Sequence, residues 1–357
     1  METPVRPTRQ EQEPASDEVT EVAPGVLRLQ LPIDMPGLGH VNCYLLEDDR
    51  GVALVDPGMP FDASWAALEH RLAAAGVPLA RVHTVIATHS HPDHYGGVRR
   101  LRDETGATVV THRDFRVWWA PEDGSDLDLD SLDDLDDADV EALPPPIRLR
   151  AKPPWGGPGE DFAARRREYG GFAIDLARLF SPPEPDRRID DADVLRLAGR
   201  EWVAVYTPGH TEDHLCLLDP AEGVFLSGDH VLPTITPHIG GISQHTDPLA
   251  QFLASLDRVA AITGVRVVLP AHGHPFTDLA GRAASIRVHH EERLERLRKA
   301  SLELGRPATV QELSTHLFSP RARGAMADSE TYAHLEHLRL AGQAQRSDEL
   351  PFRYMMV

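Results

Sequence analysis

The segment IATHSHPDHYGG, residues 86–97, constrains the fold of this 357-residue chain more than any other. It places three histidines and an aspartate within six positions, between an apolar run and a pair of glycines. His89 and His91 stand two apart at the end of a predicted strand, so their side chains point the same way. Asp93 and His94 follow where the chain turns. Imidazole and carboxylate together suit zinc, iron or manganese, so the segment predicts a metal site at a strand end.

Three more ligand-type residues each follow an apolar run and stand beside a glycine. They are His210 in VYTPGHT, Asp229 in FLSGDH and His272 in VVLPAHG. Residues at the ends of neighbouring strands converge at one sheet edge, so we expect all seven side chains to meet there. Four ligands from one loop would suffice for a single closed site, whereas seven predict two sites that share a ligand. A carboxylate is the natural bridge, which gives that role to Asp229.

Apolar periodicity predicts an α/β layered domain over residues 21–300. GVLRLQLP, VNCYLLED and GVALVDPG predict three strands of an antiparallel meander. Strand and helix patterns then alternate as far as ATVVTH. After residue 202 the pattern resumes with three strands, the helix PLAQFLASLDRVAAI, the strand VRVVLPAHG and a long helix. Such alternation is typical of helices layered on sheets.

Residues 113–188 break this rhythm and predict an insertion. Acidic residues, prolines and the arginines 165–167 fill the segment, with one helical pattern at YGGFAIDLARLF. A long insertion is either a surface loop or a cap over an active site. Tryptophans at 118, 119 and 155 favour the cap, because disordered segments rarely contain them. The arginines either bind an anionic group of the substrate or form a solvated face.

The two ends of the chain differ from this domain. Residues 1–20 are polar, lack an apolar signal core and predict a disordered leader. Residues 306–357 show two helical patterns and then a strand pair, the order of a small winged-helix-like domain. This tail holds six basic and six acidic residues, a balance that favours packing or homodimerisation over contact with nucleic acid.

Composition limits the partners and the location. The net charge is −20, and eleven acidic residues with no basic one fall within residues 121–141. An acidic surface repels phosphate backbones, which disfavours nucleic acid as the substrate. Cys43 and Cys216 lie in apolar runs and predict buried free thiols. With no apolar run near the ~20 residues that span a bilayer, these features predict a cytoplasmic protein without a membrane segment.

The order H-x-H-x-D-H, then His, Asp and His, resembles the metallo-β-lactamase fold superfamily over about residues 22–300, apart from the insertion. The resemblance implies an αββα sandwich with two metals at one edge of its sheets. The first metal would be held by His89, His91 and His210. The second would be held by Asp93, His94 and His272, with Asp229 between the two. Asp56, in LVDPG, would support the ligands from behind.

Details favour one branch of that superfamily. Its secreted β-lactamases need an export signal, and their best-known forms place cysteine or histidine where this chain has Asp229. An aspartate bridge instead resembles glyoxalase II and its relatives, which hydrolyse thioesters, lactones and phosphodiesters. The tail resembles the winged-helix appendage of lactamase-like hydrolases, an endoribonuclease type among them.

The resemblance implies hydrolysis with two divalent metal ions. Zinc is the expected metal, and iron or manganese are the alternatives. Metals about 3.5–4 Å apart bridge a hydroxide and lower its pKa towards neutrality, and Asp93 would orient that hydroxide. The predicted substrate is a small-molecule thioester or related ester of acyl-CoA or glutathione type. The alternatives are an endoribonuclease or phosphodiesterase, a lactonase, and a non-catalytic metal-containing effector that acts through partners.

Three further histidines are candidates for supporting the centre or contacting substrate. His214 either hydrogen-bonds a metal ligand or packs within a strand. His238 and His245 lie in TPHIGGISQHTD, a loop that either lines a substrate pocket or only covers the surface. None of the three has a motif of its own, so their roles depend on where the fold places them.

Overall fold

The computed structural model describes residues 9–35, 37–116, 152–157 and 184–357. Its first sheet is mixed and has seven strands, six from residues 20–112 and one from residues 187–189. The first four strands are antiparallel neighbours and the last three continue in parallel. The strands, in sheet order, are β1 Thr20–Ala23, β2 Val26–Met35, β3 Leu38–Asp48, β4 Gly51–Val55, β5 Val82–Ile86, β6 Thr108–His112 and β7 Arg187–Ile189. The predicted antiparallel meander is therefore confirmed as β2–β4.

A second, five-stranded sheet follows in the order β12-β11-β10-β9-β8. Its strands are β8 Val194–Leu197, β9 Arg200–Tyr206, β10 Leu215–Asp219, β11 Val224–Gly228 and β12 Val267–Pro270. All neighbours are antiparallel except β11 and β12. The carboxyl ends of these two parallel strands therefore lie side by side, and the predicted ligands 229 and 272 follow them closely.

The two sheets pack face to face through alternate residues of their strands. On β3, Tyr44 and Leu46 face the second sheet, where they join Trp202 and Leu217 in one buried cluster. The intervening Cys43 and Leu45 belong to a different cluster, on the opposite side of the first sheet. This alternation follows from the two-residue period of a strand. Cys43 and Cys216 lie on separate outer faces and are buried free thiols, as predicted.

Helices cover both outer faces and complete the four layers. On the first sheet lie α1 Asp62–Ala74, α2 Pro92–Tyr95 and α3 Val98–Thr105. On the second lie α4 Pro248–Ala260 and α5 Leu279–Leu304. Each of the last two begins at an aspartate whose carboxylate accepts a backbone N–H bond, Asp247 from Ala250 and Asp278 from Gly281. The predicted layered α/β fold is confirmed.

The C-terminal residues form a small unit of two helices and three short strands. These are β13 Ala308–Thr309, α6 Val310–Leu317, α7 Ala325–Leu340, β14 Ala344–Arg346 and β15 Arg353–Met356. Their sheet order is β13-β15-β14. The order helix, helix, strand pair is as predicted, whereas β13 was not foreseen, and a winged-helix identity stays a prediction. Buried side chains of the unit, such as Leu335 and Tyr354, share one apolar cluster with α4 and α5.

The predicted disordered leader, residues 1–20, is too long. Residues 10–12 form a helical turn, and the fully buried Glu11 carboxylate accepts bonds from the backbone N–H groups of Thr234 (2.8 Å) and Ile235 (3.0 Å). A buried carboxylate needs such donors, and the first of these lies 223 positions away in sequence. The polar composition of this segment does not reveal them.

The predicted insertion, residues 113–188, is also too wide at its ends. Arg187 and Arg188 belong to β7, which pairs with β6, and Phe115 is buried beside Tyr95. Strands β1 and β8 were also missed, because they are short and partly polar. Trp155 is buried against Tyr332 of α7, at 5.1 Å between ring centroids. The predicted helix, cap, arginine cluster and other two tryptophans lie outside the described residues.

Gly209 provides a stability test of the turn before His210. Its φ is +130°, and a Cβ there would lie 2.4 Å from the Cα of Phe252 on α4. We expect Gly209→Ala to lower the free energy of unfolding by about 3 kcal/mol, since backbone strain and overpacking combine. Chemical denaturation measures this loss. Gly264→Ala is the control, with φ +82° and no atom within 4 Å of the added Cβ. If both variants lost the same free energy of unfolding, the expected clash between the added Cβ and Phe252 would be excluded.

Candidate metal centre

Seven histidine and aspartate side chains meet where strands of both sheets end. The first group comprises His89, His91, His210 and Asp229; the second comprises Asp93, His94 and His272. Within each group the nearest ligand atoms all lie within 4.8 Å of one another. Every residue predicted as a metal ligand therefore lies in one of two adjacent groups.

The loop after β5 supplies four of these side chains. His91 keeps extended backbone angles, and its ring reaches the ring of His89, with 2.9 Å between His91 Nδ1 and His89 Nε2. Pro92 then starts α2, a single helical turn that carries Asp93 and His94. The change from extended to helical backbone divides the four side chains between the two groups.

Asp229 lies between the groups, one residue after β11. Its Oδ2 is 3.5 Å from His210 Nε2 in the first group. Its Oδ1 is 3.2 Å from His272 Nε2 and 3.7 Å from His94 Nε2 in the second. The carboxylate thus directs one oxygen to each group.

Hydrogen bonds behind the histidines fix which ring nitrogen faces the centre. The Nδ1–H groups of His210 and His272 donate to the backbone carbonyls of His238 and His40, both at 2.7 Å. A neutral ring that donates through Nδ1 presents a bare Nε2 lone pair on its other side. These carbonyls therefore orient two of the predicted ligands.

The arrangement fits a bound cation. In the first group, ring nitrogens of two histidines converge, with His210 Nε2 3.1 Å from His91 Nδ1. In the second, His94 Nε2, His272 Nε2 and Asp229 Oδ1 are buried and have no hydrogen-bond partner among the described residues. Buried lone pairs without donors are unfavourable unless an ion binds them. A set of imidazoles and carboxylates suits zinc, iron or manganese.

The two groups differ in their electrostatics. Burial and the neighbouring His210 together lower the pKa of His91 to about 3. Burial also lowers the pKa of His272, but the Asp229 carboxylate outweighs it and raises the pKa to about 10 when no ion is bound, so an ion at Nε2 would displace a proton from this ring. Burial raises the pKa of Asp229, whereas His272 and His94 bring it well below its usual range. The first group is thus rich in neutral nitrogens, and the second has histidines paired with carboxylates.

Asp56 supports the second group from behind. Its Oδ2 accepts from His94 Nδ1 at 2.9 Å and from the Thr88 hydroxyl at 2.8 Å. Its Oδ1 accepts from the backbone N–H of Thr88, also at 2.8 Å. Asp56 adopts φ +58°, which is uncommon for a residue with a side chain. The contacts place Asp56 where the sequence predicted it, and they add Thr88, which sequence reasoning missed.

His214 contacts the backbone of Asp229. Its Nε2 accepts the N–H bond of Asp229 at 3.0 Å, while its Nδ1 lies 2.8 Å from the Thr207 hydroxyl. The preceding Gly228 has φ +51°, and a Cβ there would lie 2.6 Å from His214 Nε2. Of its two predicted roles, the structure places His214 as a hydrogen-bond partner of a candidate ligand.

His238 and His245, the two candidate substrate contacts, both lie in the loop between Asp229 and α4. The backbone carbonyl of His238 accepts the Nδ1–H bond of His210, while its ring lies 3.3 Å from Glu330 Oε2 on α7. His245 is half-buried, and its backbone N–H donates to the Ser243 hydroxyl. Contact of either ring with substrate stays a prediction. Glu330 was missed, and no local motif marks it.

Comparison with known proteins agrees with this geometry. A family model described as the metallo-beta-lactamase superfamily matches residues 36–274. A metallo-beta-lactamase family protein of Thermus thermophilus has 32% sequence identity and a TM-score of 0.71, over 94% of this chain and 100% of that one. A beta-lactamase domain protein of Burkholderia ambifaria has 29% identity and a TM-score of 0.71, over 96% of each chain.

Curated relatives include proteins named as hydrolases. The probable metallo-hydrolase YqjP of Bacillus subtilis (strain 168) is 24% identical over 328 residues, which cover 88% of this chain and 92% of YqjP. The atrochrysone carboxyl ACP thioesterase of Claviceps purpurea (strain 20.1) is 28% identical over 171 residues. That alignment covers 42% of this chain and about half, 51%, of the thioesterase. From the family match and the full-length structural likeness, the chain belongs to the metallo-beta-lactamase superfamily.

Proposed function

We propose that the protein is a dinuclear metal-dependent hydrolase that cleaves a thioester or related ester. The observation that carries the proposal is the position of Asp229, with Oδ1 3.2 Å from His272 Nε2 and Oδ2 3.5 Å from His210 Nε2. A carboxylate placed in this way can serve two ions at once. Three histidines complete one site, and Asp93, His94 and His272 complete the other.

Two divalent ions supply an activated water near neutral pH and polarise the substrate carbonyl. The residues of the chain hold and orient the reacting groups. Asp93 Oδ2 lies 3.4 Å from the Nε2 atoms of both His94 and His272, which places its carboxylate in the second group. In the proposed mechanism this carboxylate also accepts a hydrogen bond from the attacking water and orients it. Hydrolysis of this kind needs no serine or cysteine nucleophile, and both cysteines are buried in apolar clusters.

Support for a thioester comes from relatives rather than from the site. Several fungal relatives are named atrochrysone carboxyl ACP thioesterase, at 28–29% identity over part of the chain. Metals and fold alone leave the substrate open. No helix among the described residues is long and apolar enough to cross a membrane.

The test combines metal analysis with a hydrolysis panel on the purified protein. The panel holds acyl-CoA, acyl-pantetheine and glutathione thioesters, a lactone, nitrocefin, bis-p-nitrophenyl phosphate and a short single-stranded RNA. We expect two metal ions per chain and turnover of a thioester, lost on chelation and restored by zinc, iron or manganese. A metal-free native protein would contradict the dinuclear site. Two ions with cleavage of RNA or nitrocefin, and no thioester turnover, would contradict the substrate class.

A further inference from the structure

The loop 236–247 connects the metal centre to the C-terminal unit. Helix α7 holds this loop at three points along its length. The pairs are His238 Nδ1 with Glu330 Oε2 at 3.3 Å, Gly241 N–H with the Ser329 hydroxyl at 2.9 Å, and Asp247 Oδ2 with His337 Nδ1 at 3.0 Å. Gly241 lies so close to α7 that a Cβ there would be 2.6 Å from the Ser329 carbonyl oxygen.

His238 contacts both the metal centre and helix α7. Its backbone carbonyl accepts the Nδ1–H bond of His210 at 2.7 Å, and its ring donates to Glu330. The imidazole of His210 therefore takes its orientation from a residue that α7 holds in place. A shift of the His238 ring would move the carbonyl that aims His210 at the first group.

Glu330 is itself held firmly. It is 6% exposed, and the guanidinium of Arg293 on α5 is bonded to its other carboxylate oxygen. Burial raises the pKa of Glu330, but the His238 bond and the Arg293 charge outweigh it and lower that pKa to about 2. Arg293 also packs over the ring of Phe318, 4.7 Å from its centroid. The carboxylate is therefore ionised and fixed between two helices and the loop.

Glu330 also lies near the buried rings of His290 and His334, which could suggest a further metal site. His334 Nδ1 donates to the Glu330 carbonyl, so its Nε2 is free to accept a bond from His290 Nδ1, 3.1 Å away. The Arg293 cation already neutralises the carboxylate. The Glu330 carboxylate and three of the four ring nitrogens are therefore used in hydrogen bonds or the ion pair, whereas His290 Nε2 is buried without a partner among the described residues.

We propose that Glu330 is a positioning residue for the metal centre: by holding the ring of His238, it fixes the carbonyl that orients His210. The C-terminal unit is then part of the support of the active site. The inference rests on the proposed metal-dependent function. It concerns how tightly the group containing His210 binds its ion, which can be measured without any substrate.

The experiment is a double-mutant cycle on zinc affinity, with the full-length protein and a chromophoric competitor. The dissociation constant to compare is that of zinc at the first group, which is the binding lost in His210→Ala. We expect His238→Ala and Glu330→Ala each to weaken it about tenfold, and the double variant to weaken it by about the same tenfold. His238→Asn should retain the wild-type affinity, since its amide N–H can replace the Nδ1–H donor.

Glu336→Ala is the matched control. Glu336 is also on α7 and buried, and it bonds Arg339, Arg346 and the Tyr354 hydroxyl rather than the loop 236–247. Replacing Glu336 should lower the thermal stability of the protein without changing its zinc affinity. His238→Ala leaves the Arg293–Glu330 pair intact, so it tests the connection even if Glu330→Ala folds poorly.

Three results would overturn the inference. They are unchanged zinc affinity in His238→Ala, additive losses near a hundredfold in the double variant, or an equal loss of affinity in Glu336→Ala. If the wild-type protein binds no zinc, iron or manganese, the proposed function fails instead. The two failures are therefore distinguishable.

Discussion

Replacing Asp229 by alanine should empty both metal sites and lower kcat/KM for the thioester by about 1,000-fold or more, roughly 4 kcal/mol of transition-state stabilisation. The reason is that one carboxylate faces both groups, 3.2 Å from His272 Nε2 and 3.5 Å from His210 Nε2. Removing it also leaves the second group with two histidines that share the single carboxylate of Asp93. Metal analysis after dialysis and steady-state kinetics measure the two losses together.

The control for this prediction is Asp219→Asn. Asp219 is also buried, ends β10 of the same sheet and pairs with Arg200, away from the metal centre. Its substitution should reduce stability while two ions remain bound. Activity of Asp229→Ala without bound metal would refute the proposed mechanism, and metal loss in both variants would indicate general destabilisation.

Replacing His210 or His272 by alanine should reduce the metal content from two ions to one, with the remaining ion in the opposite group. His210 contributes only to the first group and His272 only to the second. Hydrolysis needs both ions in the proposed mechanism, so we expect each variant to lose about 100-fold or more in kcat/KM, roughly 2.7 kcal/mol at least. Metal analysis combined with competition titration determines which site remains.

His274→Ala is the control for this pair. His274 follows the last ligand by two positions, but its ring bonds Glu13 at 2.8 Å and is partly exposed. It should keep two ions and full activity. If His210→Ala and His272→Ala both lose two ions, the sites bind only as a unit. If each keeps two, the assignment of ligands is wrong.

The central strands could be predicted because their sequences carry local signals. GVALV and VVLP are short, apolar and bounded by glycine, proline or charged residues, so β4 and β12 follow from the sequence alone. β1 and β8 were missed because they are short strands at the sheet edges with polar side chains. Their pairing depends on neighbours, Thr20 with Arg28 and Arg196 with Glu201, rather than on their own composition.

The seven candidate ligands could be singled out from the sequence because each follows a recognisable strand and is of a type that binds metals. Their supporting residues could not. His40 and His238 act through backbone carbonyls, which any residue type provides. Glu11 and Glu330 resemble ordinary surface acids in sequence, and only contacts 223 and 92 positions away show that they are buried and bonded. Such long-range pairs leave no local pattern.

The division of ligands between the two halves of the chain affects how the protein reaches its native state. His89, His91, Asp93 and His94 leave the ribosome well before His210, Asp229 and His272. The first group needs Asp229 after β11 and the second needs His272 after β12, so we expect tight binding of ions only after both sheets have formed. Ions bound in the two proposed sites would act as removable cross-links between distant segments, so we expect chelation to speed unfolding as well as stop catalysis.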